Sequence, residues 1–170
     1  SNLADHASAN LLFYTETLKI SRSARVLKSG APFTTYVAVG DSISEGACAL
    51  NRTDAWVYLF AELAEAAQGS ELTLINKAIS GTMMSTTSGN GVFPAAKDTV
   101  QDYIVPNNPD LMTIAYGIND YHAGTTYETF ISDYRGYLTE IRAALPDTVI
   151  IVFGLCAKGH NDQSSADIIA

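Results

Sequence analysis

The sequence predicts an α/β fold, a parallel sheet with helices on both faces. Four runs, Thr35–Val39, Leu72–Ile75, Leu111–Tyr116 and Thr148–Leu155, are largely apolar rather than alternating, the mark of strands buried on both faces. Between them lie stretches whose apolar residues recur at helical spacing, and helical crossovers are how parallel strands are joined. Polar loops follow the strands: Asp41–Gly46, Ser80–Ser85, Asn119–His122 and Lys158–Asp162. In open parallel sheets ligands bind at the carboxyl ends of the strands, where these loops lie.

Along the chain, residues 1–34 form an N-terminal extension ahead of a domain of residues 35–170. Leu3, Ala7, Leu11, Tyr14 and Leu18 follow a helical spacing, while Phe13 to Ile20 also reads as a strand, and Gly30 and Pro32 then break the pattern. Strand one is Thr35–Val39. Thr53 or Asp54 is expected to cap a helix running to about Ala67, with Trp56, Leu59, Phe60 and Leu63 on its buried face, and Gly69 ends it. Leu72–Ile75 is strand two, followed by a loop of glycine, serine and threonine from Ser80 to Gly91. Pro94 is expected to open a helix reaching about Ile104. Leu111–Tyr116 is strand three, Tyr127–Leu145 a long amphipathic helix, and Pro146-Asp147 turns the chain into strand four. Gln163–Ala170 reads as the start of another helix.

Composition narrows the function. With 170 residues the chain can bury one domain core, and 47% hydrophobic against 16% charged residues suits a compact domain. The net charge of −8 divides into +2 over residues 1–30 and −10 over the rest, which argues against a nucleic-acid backbone as principal partner. The longest apolar stretch, Val149 to Ala157, is interrupted by Gly154 and is too short to span a bilayer. Cys48 and Cys156 have no metal-ligand spacing. At the ends of strands one and four, with strand three between, they would lie ~10 Å apart at ~4.8 Å per strand, too far for a disulfide, so two buried thiols are expected.

The chemistry centres on Gly40-Asp41-Ser42-Ile43-Ser44-Glu45-Gly46, which follows strand one. A serine at a strand tip flanked by glycines can be presented bare to a substrate. Taken alone, Ser42 also fits a helix cap, Gly81 a turn, and Asn119-Asp120 a turn or cap. Ser80-Gly81 is not a nucleophile elbow, because Ala78 stands where that motif needs glycine.

Taken together, the blocks resemble the SGNH, or GDSL-type, hydrolase family over residues 35–155. Gly40-Asp41-Ser42 resembles the family's first block, Asn76-Lys77-Ala78-Ile79-Ser80-Gly81 its second, and Gly117-Ile118-Asn119-Asp120 its third; Trp56 also fits. The resemblance implies that Ser42 is the nucleophile of an acyl transfer, with Gly81 and Asn119 as oxyanion-hole donors. It further implies hydrolysis of an acyl ester, acetyl or short-chain, on a small molecule or carbohydrate, with no metal and no organic cofactor. Asp41, Asp120, Tyr121, His122 and His160 are expected on the substrate side of the cleft, with Asp41 and Asp120 also fixing their loops through backbone hydrogen bonds. The expected sheet is three-layered in the order 2-1-3-4.

The family's last block, Asp-x-x-His after a fifth strand, supplies the base and its orienting carboxylate. None of His6, His122 and His160 sits in such a block. The expectation is that this block and the fifth strand lie past residue 170, or that a partner chain covers the strand-four edge. The rival reading is a non-catalytic module that binds glycans or acyl groups with the same cleft. The compartment stays open, since thiols suit the cytosol and the family is often exported.

Overall fold

The computed structural model describes residues 31–47, 49–88 and 91–154. The expectations for residues 1–30, for Cys48, Cys156 and His160, for the loop Lys158–Asp162 and for a helix at Gln163–Ala170 lie outside the described residues.

The strands are β1 (Thr35–Gly40), β2 (Thr73–Asn76), β3 (Leu111–Ala115) and β4 (Val149–Val152). All pair in parallel, in the order β2-β1-β3-β4, as expected. Register is set so that Ala38 faces Asn76, Gly40 faces Ala115 and Ile114 faces Val152. β1 is central, and from Tyr36 onward it is buried throughout.

Alternation along the strands divides the core into two layers. Tyr36, Ala38, Leu111 and Val149 point to one face, where they meet Val57 and Ala61. Those two residues belong to the first long helix, Trp56–Gln68. Val37, Val39, Met112 and Ile114 point to the other face, against Val100, Ile104, Tyr134, Tyr137, Leu138 and Ile141. The second long helix, Tyr127–Ala144, supplies the last four. Helices thus cover both faces, and among the described residues none is long and apolar enough to cross a membrane.

Several boundaries differ from the sequence-based expectation, each for a physical reason. The Trp56–Gln68 helix is not capped by Thr53 or Asp54: a 3-10 turn at Arg52–Asp54, closed by Asn51 and Asp54, comes first, and Ala55 sits at the cap without a side-chain bond. The helix is therefore rotated from the expected face. Val57 and Ala61 are buried, Trp56 and Phe60 are half-buried, and Leu59 and Leu63 are exposed. Small residues are favoured inward because Tyr36 and Phe60 already fill the layer, their rings 5.2 Å apart. The stretch after Pro94 is not one α-helix. It runs as a 3-10 turn at Ala96–Asp98, a π-turn at Val100–Ile104 and a 3-10 turn at Val105–Asn107. The Thr99 hydroxyl donates to the Ala96 carbonyl at 2.7 Å, competing with regular helix, and Pro106 removes an N–H.

Other elements end where their chemistry says they should. Gly69 closes the first long helix, its N–H bonding the Glu65 carbonyl. The Thr126 hydroxyl accepts from the Thr129 N–H at 3.3 Å to cap the second. At the far end of that helix Arg142 donates to the carbonyls of Pro146 and Thr148 at 2.9 and 2.8 Å. The chain is tied into the sheet by Asp110, whose carboxylate accepts from the Thr34 and Thr35 N–H groups at 2.8 and 3.1 Å. No described element covers the outer edge of β4, and nothing described assigns a partner chain to it.

The one polar pair at the centre of the sheet is Tyr36 and Thr113, whose hydroxyls lie 2.7 Å apart with neither residue exposed. Burial pushes the Tyr36 phenol up to about 12, against the Thr113 hydrogen bond. Thr113→Val keeps the shape and leaves the phenol unpaired, a loss of about 1–3 kcal/mol. Adding Tyr36→Phe should recover much of that loss; urea denaturation of the two single variants and the double variant checks it.

Candidate active site

The site is built where β1 and β3, adjacent in the sheet, lead into loops on opposite faces. This is the topological switch point, where an open parallel sheet leaves a crevice.

Leaving β1, the chain makes a one-turn helix, α1 (Ser42–Glu45), closed by Gly46. The Asp41 carboxylate caps it, accepting from the Ile43 N–H at 3.0 Å. The capping role that Ser42 could have filled is thus taken by its neighbour. Ser42 is half-buried, and among the described residues its hydroxyl has no hydrogen-bond partner. α1 is braced from β2, because the Asn76 side-chain amide donates to the Ser44 carbonyl at 2.9 Å.

Leaving β2, the loop is bound to the end of β1. The Gly40 carbonyl accepts from the Ile79 N–H at 3.0 Å, and the Thr82 hydroxyl is shared between the Ile79 carbonyl at 2.7 Å and the Gly40 carbonyl at 3.1 Å. Gly81 lies between these anchors at φ +79°, a backbone angle that L side chains rarely adopt. It is exposed, a Cβ there would meet nothing within 4 Å, and its N–H has no acceptor among the described residues.

Leaving β3, Asn119–His122 is not the expected loop but part of a short helix, Ile118–His122. The Asn119 amide donates to the Thr82 carbonyl at 2.9 Å. That bond uses one of its two N–H hydrogens and leaves the other for a ligand. Asp120 is 1% exposed, and its two oxygens accept from the Met84 and Ser85 N–H groups at 2.8 and 2.9 Å. Tyr121 and His122 are exposed with their rings 5.5 Å apart, at the open side of the same loop.

The loops carrying Ser42, Gly81 and Asn119 are therefore joined by one hydrogen-bonded chain running Gly40–Thr82–Asn119. Asp41 and Asp120 are both buried beneath them. Burial pushes the Asp41 carboxyl up, opposed by the Ile43 N–H and reinforced by the nearby Asp120 charge. Tyr116, next to both, has its phenol raised by burial first and then by the Asp41 charge. A cleft floor of this kind suits neutral donors such as Asn119.

Sequence reasoning missed two residues here. Glu45 accepts from the Ser80 N–H at 2.8 Å and from the Ser80 hydroxyl, while Arg52 sits 3.1 Å from its other oxygen. Tyr116 feels the charges of both aspartates. Glu45 stands three residues past the first block, but its partner is 35 residues away, so no local pattern reveals the pair. His122 is the one histidine described, and no hydrogen bond joins it to Ser42 among the described residues.

Comparison with known proteins bears on the family and the fold. Residues 38–169 match the GDSL-like Lipase/Acylhydrolase family. No curated protein matches. Among solved structures the chain is similar to TesA, with a TM-score of 0.62 and 21% identity over 80% of this chain and 68% of that one. It is similar to AlinE4, an SGNH-hydrolase family esterase, with a TM-score of 0.61 and 21% identity over 82% of this chain and 69% of that one. It also resembles a two-domain esterase active on acetylated mannans, with a TM-score of 0.66 and 17% identity over 88% of this chain, spanning 38% of that protein. At such identities the likeness is one of fold.

The Ser80 hydroxyl, more than burial opposes it, holds the Glu45 carboxyl below the usual glutamate range, with the Ser80 N–H and Arg52 adding to it. A carboxylate lowered in the folded state stabilises it above its unfolded pKa, and that contribution is lost as pH falls through the folded value. Denaturant midpoints taken from pH 7 downward should show Glu45→Gln less stable than the parent at neutral pH. The gap should close below the ordinary glutamate range.

Proposed function

The chain belongs to the GDSL-like lipase/acylhydrolase family, and from that premise we propose that it hydrolyses a carboxylic ester through Ser42. The Ser42 hydroxyl adds to the ester carbonyl carbon, its proton passing to a base. The tetrahedral oxyanion accepts from the Ser42 and Gly81 N–H groups and the remaining Asn119 N–H. Collapse expels the alcohol, which takes up the proton, and water then releases the acid from the acyl-enzyme. Residues 31–154 contain no Asp-x-x-His, and none of the described residues is assigned as that base.

The observation that supports this most is the hydrogen-bonded chain from Gly40 through Thr82 to Asn119. It ties three loops together and leaves the Gly81 N–H and one Asn119 N–H unused. For the substrate we propose a short acyl group, acetyl foremost, on a small molecule or carbohydrate. The similarity in fold to an esterase active on acetylated mannans supports a carbohydrate ester. Exposed Tyr121 and His122 offer a ring surface beside the cleft suited to a sugar face.

A second reading rests on Ser42 itself, whose hydroxyl meets no base among the described residues. It is a glycan- or acyl-binding module that keeps the donors without turnover. Hydrolysis of a short-chain nitrophenyl ester separates the two. Ester hydrolysis requires that Ser42→Ala abolish turnover and that Asn119→Ala lower kcat by about 10²–10³. Turnover unchanged in Ser42→Ala rejects the serine, and binding of an acetylated oligosaccharide without its hydrolysis favours the module.

A further inference from the structure

We propose that Glu45 and Asp120 form a two-ended clamp on the loop 80–85 and act together as positioning residues for the Gly81 N–H. The inference rests on the reading of Gly81 as an oxyanion donor and adds what holds that donor in place.

The loop is gripped at its start and at its end by carboxylates from the two elements that flank the cleft. At the start, Ser80 gives both its N–H, at 2.8 Å, and its hydroxyl to Glu45. At the end, Met84 and Ser85 give their N–H groups to the two oxygens of Asp120 at 2.8 and 2.9 Å. Glu45 is on α1, three residues beyond Ser42, and Asp120 directly follows Asn119. Each grip therefore references the loop to an element carrying another member of the proposed site. Hydrogen bonds to ionised acceptors are shorter and stronger than neutral ones. Between the grips, Gly81 is exposed with open space in its side-chain direction and is held only through the turn that the Thr82 N–H closes on the Ile79 carbonyl at 3.2 Å. Its position is set by its neighbours.

The two carboxylates reach this function in different environments. Asp120 is 1% exposed, so its removal orphans two buried N–H groups. Glu45 keeps one oxygen on Arg52 and the other on Ser80, with 19% of its side chain exposed. Asp120 is shut beneath the loop, and both carboxylates act through backbone rather than on substrate. A donor loosened by a fraction of an ångström stabilises the transition state less while leaving ground-state binding nearly intact, so the loss falls on kcat.

The experiment uses the full chain with Glu45→Gln, Asp120→Asn, the double variant, and Ser42→Ala as reference. A short-chain nitrophenyl ester gives kcat and KM, and amide hydrogen exchange reports on residues 79–86. Each single variant should lower kcat at least tenfold with KM within twofold, and should speed exchange in residues 79–86 while β1 and β3 stay protected. The double variant should lose less than the product of the single losses, because opening either end already frees the same loop. Unchanged exchange in both single variants overturns the clamp, and so does faster exchange with kcat intact. Glu45→Gln, on the more exposed carboxylate, decides the matter if Asp120→Asn fails to fold. Parent-level turnover in Ser42→Ala instead overturns Ser42 as the nucleophile and with it the catalytic half of this proposal; exchange still decides whether the two carboxylates hold the loop.

Discussion

A Cβ on Gly40 would stand 2.5 Å from the Ser44 hydroxyl oxygen and 2.8 Å from both the Ser44 Cβ and the Ala115 carbonyl oxygen. Two backbones and a one-turn helix meet where no side chain fits. That closeness lets α1 fold back directly off the central strand, and Ser42 begins the turn. The same residue's carbonyl collects the Ile79 N–H and the Thr82 hydroxyl, so the loop after β2 is referenced to the end of β1. Thr82 in turn receives the Asn119 amide. Loss of the close approach at Gly40 would move α1, the Gly81 loop and the side chain that Thr82 orients.

The fold was legible because its signals are local and physical. Continuous apolar runs marked buried parallel strands, Gly69 marked a helix end, and the observed strand order is the expected one. Legibility failed where a tertiary partner decided the outcome. Leu59 and Leu63 fit a helical stripe, yet the 3-10 turn at Arg52–Asp54 resets the helix so that Val57 and Ala61 face the sheet. Pro94 looked like a helix start, but the N–H groups of Ala96 and Lys97 bond the Met83 and Met84 carbonyls, and the chain follows that loop as broken turns. In the site, block residues could be picked out singly. Pairs separated by 35 or 36 positions, such as Glu45 with Ser80 and Asp120 with Met84, could not.

The cleft is stabilised differently from the core. The sheet faces gain from apolar burial, where each fully buried side chain contributes about 1.5–3 kcal/mol. The loops contain few such groups and are held instead by carboxylates on backbone N–H groups: Asp41 on Ile43, Glu45 on Ser80, Asp120 on Met84 and Ser85. Some of the polar atoms drawn into this packing are left over. Ser44 and Ser85 each bury a hydroxyl without a partner among the described residues. The anions beneath the cleft would also repel a negative charge formed above them. In the proposed reaction, donors that face that charge must be close and well aimed to overcome the repulsion, and tight loop anchoring would supply that aim.

No single motif singles out Ser42. A glycine–aspartate–serine after a strand is a common way to start a helix, and here Asp41 does the capping that such a sequence suggests. What distinguishes the site is that the cap frees Ser42 while two other loops, entering from strands on either side of β1, deliver donors to the same strand ends. The parallel order β2-β1-β3 makes that delivery unavoidable: the loops after β2 and β3 flank the one after β1, and all three open on the carboxyl edge of the sheet. The proposed chemistry therefore depends on register as much as on residue identity. Gly40 opposite Ala115 and Ala38 opposite Asn76 fix where each loop departs. A one-residue slip of either pairing would turn the loop's side chains to the opposite face and disperse the site while leaving every block of sequence unchanged.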